Sequence, residues 1–177
     1  MLYWCHQKGC DDPGVKPMSK QEKTNAMRML DKAGVPHETL FCESGGEAMD
    51  AVTVANLLGV DPEMVYKTLV LQGSFQGYYV CVIPGPAELD LKRAAACFNV
   101  KSLRMLHVDE LKPVTGYVRG GCSPIGMKKR FPTLVDSACD RLPALIVSGG
   151  QIGVQIRIAP KDLVSLIFAD TAPLSRD

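Results

Sequence analysis

Two apolar, strand-like runs near the middle of the chain constrain its fold more than any other segment. Residues 65–71 and 78–83 are rich in β-branched and aromatic side chains, and a glycine-containing loop joins them, which predicts a hairpin. Alternation along the first run leaves both faces mostly apolar, so other layers of structure should cover both sides. Lys67 interrupts this pattern. Its ammonium group must either reach water at a strand end or face a cavity that holds a ligand.

The rest of the chain mixes helical and strand-like segments without a strict βαβ order, which predicts one α+β domain with a mixed sheet. Residues 1–19 lack periodicity and are expected to form a flexible extension, which leaves 20–172 as the folded domain. The predicted helices lie near residues 24–33, 47–58, 91–98, 108–111 and 160–168. The predicted strands outside the hairpin lie near residues 37–42, 100–105, 133–136, 144–147 and 154–158.

Composition and charge exclude several classes of protein. The 177 residues are 46% hydrophobic and 22% charged, with a formal net charge of +1, which is typical of a folded globular domain. No apolar run is long enough to cross a bilayer, and residues 1–6 lack the features of a secretory signal, so a cytoplasmic protein is expected. Seven cysteines without a CxxC pair indicate a reduced protein and predict neither a disulfide framework nor a metal site.

A glycine-rich stretch at residues 115–129 is the first candidate for ligand binding. It matches neither the P-loop nor the dinucleotide-binding fingerprint. Gly120 and Gly121 carry no side chains that would block a ligand, and their amides could donate hydrogen bonds to it. The alternative is an irregular loop with no role in binding.

A second candidate follows the predicted strand at 144–147, where the chain turns through Ser148, Gly149 and Gly150. A ring of amides together with the serine hydroxyl could face a carbonyl or a ribose. The alternative is a plain hairpin turn between two strands.

The sequence shows no clear protein nucleophile. Cys122 lies beside glycines, but none of the histidines at positions 6, 37 and 107 is paired with it locally. HExxH and GxSxG motifs are absent, and there is no obvious pair of catalytic carboxylates. A hydrolase that uses Cys122 stays open, because residues distant in sequence can meet in the fold.

Several fragments, taken in their order and spacing, resemble the bacterial YbaK/EbsC family. They read KTNAMRML, VYKTLV, LDLKRAA, TGYVRGGCSPIGMKK, PTLVDSA, IVSGG and IAPKDL. The resemblance covers about residues 20–170, and the fragment at 115–129 is its most specific part. Members of this family are aminoacyl-tRNA deacylases related to the editing domain of bacterial prolyl-tRNA synthetase.

The resemblance implies a single α+β domain whose mixed, mostly antiparallel sheet curls into a partly open barrel with flanking helices. It implies that Lys67 is the catalytic lysine. A gapless match places Cys42, with Phe41 next to it, where the family often has a tyrosine, so the sequence departs from the family pattern at this point. The implied substrate-binding residues are Phe41, Thr68, Gly120, Gly121, Ser148, Gly149 and Gly150.

The resemblance also implies a function, which is trans-editing of mischarged Cys-tRNA(Pro). In such enzymes the thiol of the substrate's own cysteine attacks its ester and leaves as a thiolactone, so no cofactor, metal or protein nucleophile is expected. The implied partners are the acceptor end of tRNA and prolyl-tRNA synthetase, for a monomer or weak dimer with no membrane contact. Two alternatives remain: a deacylase that uses water on another small aminoacyl-tRNA such as Ala-tRNA, and a non-catalytic module that binds tRNA or a synthetase.

Overall fold

A computed structural model describes residues 22–74 and 77–176. The predicted flexible extension at 1–19 lies outside the described residues, and the domain boundaries at 20 and 172 stay predictions. The predicted hairpin is confirmed, because its two strands pair antiparallel with Lys67 opposite Ile83. The strands of the described chain are β1 (His37–Phe41), β2 (Tyr66–Gly73), β3 (Tyr78–Pro84), β4 (Leu103–Met105), β5 (Thr133–Asp136), β6 (Leu145–Ser148), β7 (Val154–Ile158) and β8 (Asp170–Ala172).

Local capping signals set the ends of the helices. The Thr24 hydroxyl accepts a hydrogen bond from the amide of Met27 at the start of the first helix, and Gly34 ends this helix in the left-handed conformation. The second helix begins later than the predicted residue 47, because the Asp50 carboxylate accepts the amides of its first turn. The helices are α1 (Asn25–Ala33), α2 (Ala51–Leu58), α3 (Leu91–Cys97), α4 (Val108–Thr115) and α5 (Pro160–Ile167).

The strands form two sheets. A five-stranded sheet has the order β4-β2-β3-β5-β8, and a three-stranded sheet has the order β1-β7-β6. All pairs are antiparallel except β3 with β5 and β5 with β8, so the predicted α+β domain with a mixed, mostly antiparallel sheet is confirmed. A parallel bridge between Val65 and Ile146 joins the sheets at one edge. Among the described strands no further ladder closes the two sheets into a ring.

The hairpin is covered on both faces, as the sequence predicts. Tyr66, Val80 and Val82 pack into a core that the three-stranded sheet, α1 and α5 complete. Leu71 and Ile83 point the other way and pack against α3. Burial on both faces explains why the two strand segments carry so few polar side chains.

The junction between the two sheets lies beneath α2. Val54 and Ala55 of this helix pack on Val65 and Ile146, the two residues that bridge the sheets. Within residues 22–74 and 77–176, no helix combines the length and apolarity that a membrane span requires. The fold thus places a helix start, two strand ends and the glycine-rich loop around one point.

Candidate active site

A cavity of about 220 Å³ lies at the junction of the two sheets, beside the start of α2. Four of the residues predicted for the site line it: Lys67, Thr68, Gly120 and Ser148. They come from β2, the glycine-rich loop and the end of β6, so three segments distant in sequence meet here. The remaining lining residues are Met49, Asp50, Ala51, Val54, Val65, Tyr66, Gly85, Cys122 and Gln155.

Lys67 lies on the cavity wall and is half-buried. Its Nζ donates a hydrogen bond of 2.8 Å to the carbonyl oxygen of Gly85. Burial lowers the pKa of the Lys67 ammonium below its usual value, while the nearby Glu88 carboxylate acts in the opposite direction. Of the two possibilities that the sequence leaves open, the structure shows the lysine facing a cavity.

Gly85 allows α2 to approach the hairpin closely. Its amide donates to the carbonyl oxygen of Val65 over 2.7 Å. A Cβ atom at this position would lie 2.5 Å from the Cβ of Ala51, which is far inside van der Waals contact. From sequence, the Pro-Gly-Pro segment at 84–86 indicates only a break after the strand, so this contribution to the site was missed.

The glycine-rich loop is a fixed element. The buried Tyr117 hydroxyl donates to the carbonyl oxygen of Ile125 over 2.6 Å and ties the two sides of the loop together. Gly120 has a φ of +81°, and a Cβ there would lie 2.6 Å from the Cβ of Ala48. Within the described residues the Gly120 amide has no hydrogen-bond partner, so it remains available to a ligand in the cavity.

Gly121 lies beside Gly120 but has a different environment. It is buried, and its amide donates to the carbonyl oxygen of Val118 over 3.0 Å. A Cβ at Gly121 would meet the backbone of Gln151 and Ile152 at 3.1–3.3 Å. Gly121 is not one of the residues that line the cavity, and it allows the loop to pack closely on the turn between β6 and β7.

The Ser-Gly-Gly turn contributes its serine to the cavity but not its glycines. The Gly149 amide donates to the carbonyl oxygen of Val154 over 2.8 Å, which closes the β6–β7 turn. The Gly150 amide donates to the Ser148 hydroxyl over 3.3 Å. Neither glycine lines the cavity, and both amides already have partners, so the turn holds Ser148 in place.

Phe41 lies at the end of β1 and is 50% exposed. It is not among the residues that line the cavity. The adjacent Cys42 is buried in the cluster beneath α2, and its amide donates to the carbonyl oxygen of Gly153 over 2.8 Å. The structure therefore separates the Phe41 side chain from the four predicted residues that meet at the cavity.

Three polar side chains of the residues that line the cavity lack hydrogen-bond partners within the described part of the chain. The hydroxyls of Tyr66 and Thr68 are buried and unpaired. Gln155 is only 5% exposed, and its side-chain amide has no partner among the described residues. Sequence reasoning missed Gln155, because alternation with Val154 and Ile156 groups it with Arg157 on a face that looks solvent-exposed. No local signal separates it from an ordinary surface glutamine.

Cys122 is the cysteine of the cavity wall, and burial raises its pKa to about 12. A thiol with such a pKa is almost entirely protonated near neutral pH and is a poor nucleophile. The histidines of the described chain, His37 and His107, do not line the cavity. His37 instead contacts the carbonyl oxygen of Val35 over 2.9 Å. The described residues also contain no cluster suited to a metal ion.

Comparisons with known proteins point to one family. A family model described as "Aminoacyl-tRNA editing domain" matches residues 45–166. A protein of Enterococcus faecalis named "Putative Cys-tRNA(Pro)/Cys-tRNA(Cys) deacylase EbsC" is 45% identical over 155 residues, which are 88% of this chain and 94% of that protein. Proline--tRNA ligase of Fervidobacterium nodosum is 32% identical over 78 residues, or 44% of this chain and 13% of the ligase.

Solved structures share the fold. A crystal structure described as "a putative trans-editing enzyme for prolyl tRNA synthetase" superimposes with a TM-score of 0.78 at 24% sequence identity, and the match covers 86% of this chain and 96% of the other. The resemblance that the sequence fragments suggest is thus confirmed by the family match and by the extent of identity to a full-length relative. This chain belongs to the aminoacyl-tRNA editing domain family.

Proposed function

We propose that this protein deacylates mischarged Cys-tRNA(Pro) in trans, and that the thiol of the substrate's own cysteine is the nucleophile. Family membership supports an aminoacyl-tRNA substrate, and the name of the Enterococcus faecalis relative supports a cysteinyl ester. The reaction would take place in the cytoplasm, where tRNAs are charged, and prolyl-tRNA synthetase is the natural source of the mischarged substrate.

One observation carries this proposal: the described residues that line the cavity offer hydrogen-bond donors but no activated nucleophile. Lys67 and Gly120 both line it, and the Gly120 amide is unpaired within the described residues, while burial raises the pKa of Cys122 and neither His37 nor His107 lines the cavity. Such a site can bind and orient a reactive ester but must obtain its nucleophile elsewhere. The substrate's own thiol is the simplest source.

The chemistry is within reach of such a site. An aminoacyl ester is already activated, and a thiolate attacks its carbonyl carbon to form a C–S bond. The C–O bond to the ribose then breaks, the ribose oxygen takes a proton, and the cysteine leaves as a thiolactone. The Gly120 amide would stabilise the oxyanion on the carbonyl, and Lys67 would hold the phosphate or ribose of the terminal nucleotide. Holding the thiol over its own carbonyl lowers the entropic part of the barrier.

Two other functions remain as outcomes of the test. In the first, a water molecule attacks, and small aminoacyl esters without a thiol, such as Ala-tRNA, are also cleaved. In the second, the protein binds tRNA or a synthetase without hydrolysis. All three share the same fold and cavity, so only the products distinguish them.

The test is single-turnover deacylation of tRNA(Pro) charged with cysteine, serine, alanine or proline. Cysteine and serine are nearly isosteric, but a few per cent of a free thiol is ionised near pH 7 while a hydroxyl is not. We expect rapid release of cysteine from Cys-tRNA(Pro), much slower release of serine, and negligible release of alanine and proline. Comparable rates for cysteine and serine would show that water attacks, and binding without any release would show a non-catalytic module.

A further inference from the structure

We propose that a short segment after β8 is a positioning element for Lys67. The segment, which we call the strap, consists of Leu174, Ser175 and Arg176. It holds the part of the chain that carries the Gly85 carbonyl, and through this carbonyl it keeps the Lys67 ammonium in place. This inference rests on the proposed function, because it assumes that Lys67 takes part in deacylation. It goes further by assigning a role in the reaction to residues that do not line the cavity.

The hydrogen-bond acceptor of Lys67 lies on the connection between β3 and α3, residues 85–90. Gly85 begins this connection, and its carbonyl oxygen accepts from Nζ of Lys67 over 2.8 Å. The Gly85 amide donates to the Val65 carbonyl oxygen over 2.7 Å, which fixes the near end of the connection. The connection forms neither a helix nor a strand of its own, so its course depends on contacts with other segments.

The strap pairs with the far end of this connection. Ser175 lies opposite Leu89 in an antiparallel bridge. Beside this bridge, the Arg176 amide donates to the carbonyl oxygen of Glu88 over 2.9 Å. Because Glu88 follows Gly85 closely in the chain, this contact limits the freedom of the carbonyl that Lys67 uses.

Two buried side chains anchor the strap. Leu174 is fully buried, in a cluster with Leu71 and Ile83. Asp136 at the end of β5 is 4% exposed, and its Oδ2 accepts hydrogen bonds from the amides of Leu174 over 3.1 Å and Ser175 over 2.9 Å. The Ser175 hydroxyl donates to the same oxygen over 2.7 Å. A buried carboxylate needs such donors, because burying a charge without partners costs much free energy. The strap is therefore fixed to the five-stranded sheet.

These contacts connect the sheet to the cavity wall in three steps. Asp136 fixes the strap, the strap pairs with the connection, and the connection presents the Gly85 carbonyl to Lys67. The Glu88 carboxylate is also close enough to the Lys67 ammonium to oppose the effect of burial on its pKa. Displacing the connection would withdraw both groups from Lys67. Catalysis is sensitive to such displacements, since a misplacement of about 1 Å can slow a reaction about a hundredfold.

Replacing Arg176 with proline removes the amide that donates to Glu88. Ser175 lies in a β-bridge, so its backbone suits the position before a proline. We expect Arg176→Pro to slow single-turnover cleavage of Cys-tRNA(Pro) about fivefold, the scale of one net hydrogen bond. Arg176→Ala is the matched control, because it keeps the amide and removes only an exposed ion pair with Glu88 at 3.3 Å. It should keep the rate within about twofold of wild type.

A variant that ends at Pro173 lacks the whole strap. It should slow cleavage by about tenfold or more, because the connection then loses its far anchor. Its Tm should also fall, since the buried Leu174 side chain is lost. All rates are measured well below the Tm of each variant, so that every protein is folded in the assay.

The Lys67→Met background separates positioning from stability. If the strap acts through Lys67, neither Arg176→Pro nor the shortened chain should change the residual rate of Lys67→Met by more than about twofold. An effect on the fold alone would slow both backgrounds by the same factor.

A second readout needs no tRNA. In NMR correlation spectra of the lysine Cε–Hε groups, the signal of Lys67 is assigned by its absence from Lys67→Met. This signal should shift in Arg176→Pro and in the shortened chain, because the ammonium loses its fixed acceptor. It should stay in place in Arg176→Ala.

Each outcome decides between the possibilities. Equal slowing in both backgrounds, or an unshifted Lys67 signal in Arg176→Pro and in the shortened chain, would overturn the positioning role while leaving the proposed function intact. Full activity of the folded, shortened chain would overturn it as well. Failure of the wild-type protein to release cysteine from Cys-tRNA(Pro) would overturn the proposed function, and this inference with it.

Discussion

Replacing Lys67 with methionine tests whether the ammonium group is needed for deacylation while the fold stays stable. Methionine has a similar length and volume but no charge and no donor. If the ammonium group holds the terminal phosphate or ribose and so positions the ester in the transition state, its loss should slow deacylation by about 10²–10³-fold, the range observed when one preorganised donor is removed. We therefore expect Lys67→Met to reduce single-turnover cleavage of Cys-tRNA(Pro) at least a hundredfold.

The fold should tolerate this change. Within the described residues the Lys67 ammonium makes one hydrogen bond, to the Gly85 carbonyl at 2.8 Å. A hydrogen bond from a charged group contributes about 1.5–3 kcal/mol, and the cost of partly burying the ammonium offsets some of it. The net loss should stay below about 2 kcal/mol, which corresponds to roughly 4–8 °C in Tm for a protein of this size.

The assay is single-turnover deacylation with enzyme in excess, alongside a thermal melt of each variant. Lys92→Met is the matched control, because Lys92 is exposed on α3 and does not line the cavity. The control should keep the wild-type rate and Tm. A rate for Lys67→Met within about fivefold of wild type would refute the assigned role, whatever the melting temperature.

Three further predictions follow from the geometry of the cavity. Gly120→Ala should lower both stability and activity, since a Cβ there would lie 2.6 Å from the Cβ of Ala48. Gly46→Ala is the control, because Gly46 also has a positive φ but a Cβ there would meet nothing within 4 Å. It should lower the free energy of unfolding, measured in a urea melt, by only about 1–2 kcal/mol. Cys122→Ala should keep the deacylation rate within about threefold, because burial raises the pKa of the thiol to about 12 and so keeps it protonated. A hundredfold loss of rate would instead support the hypothesis of a hydrolase that uses Cys122 as its nucleophile. The enzymatic rate should rise with pH as the substrate thiol ionises near pH 8.5 and then fall as Lys67 loses its proton. Because burial lowers the Lys67 pKa, this alkaline fall should begin below the usual 10.5, and it should be missing from the residual rate of Lys67→Met.

Local sequence signals were sufficient for most of the secondary structure. Thr24 and Asp90 cap helices that the sequence predicts, and the hairpin pairs as its apolar pattern requires. These features depend on neighbours a few residues away, so they can be read without the fold. β8 was not predicted, because its three residues become a strand only through parallel pairing with β5.

The sequence also identified the family, through motifs distributed over most of the chain, and it singled out Lys67 as a charge on an apolar strand. It could not decide which of the four predicted glycines line the cavity. Gly120 lines the cavity, while the amides of Gly121 and Gly149 are used by the backbone. That difference depends on loop geometry and on contacts with distant segments, which the order of residues does not show.

Only the tertiary structure revealed Gln155 and Gly85 as parts of the site. In sequence, Gln155 belongs to an alternating strand and Gly85 to a chain break, and each has an ordinary local explanation. Their roles arise because α2 covers the point where the two sheets meet. This packing buries the Gln155 side chain and brings the helix against the backbone of Gly85. Secondary structure is fixed by short-range preferences, but a cavity is defined by the packing of segments that are far apart in the chain.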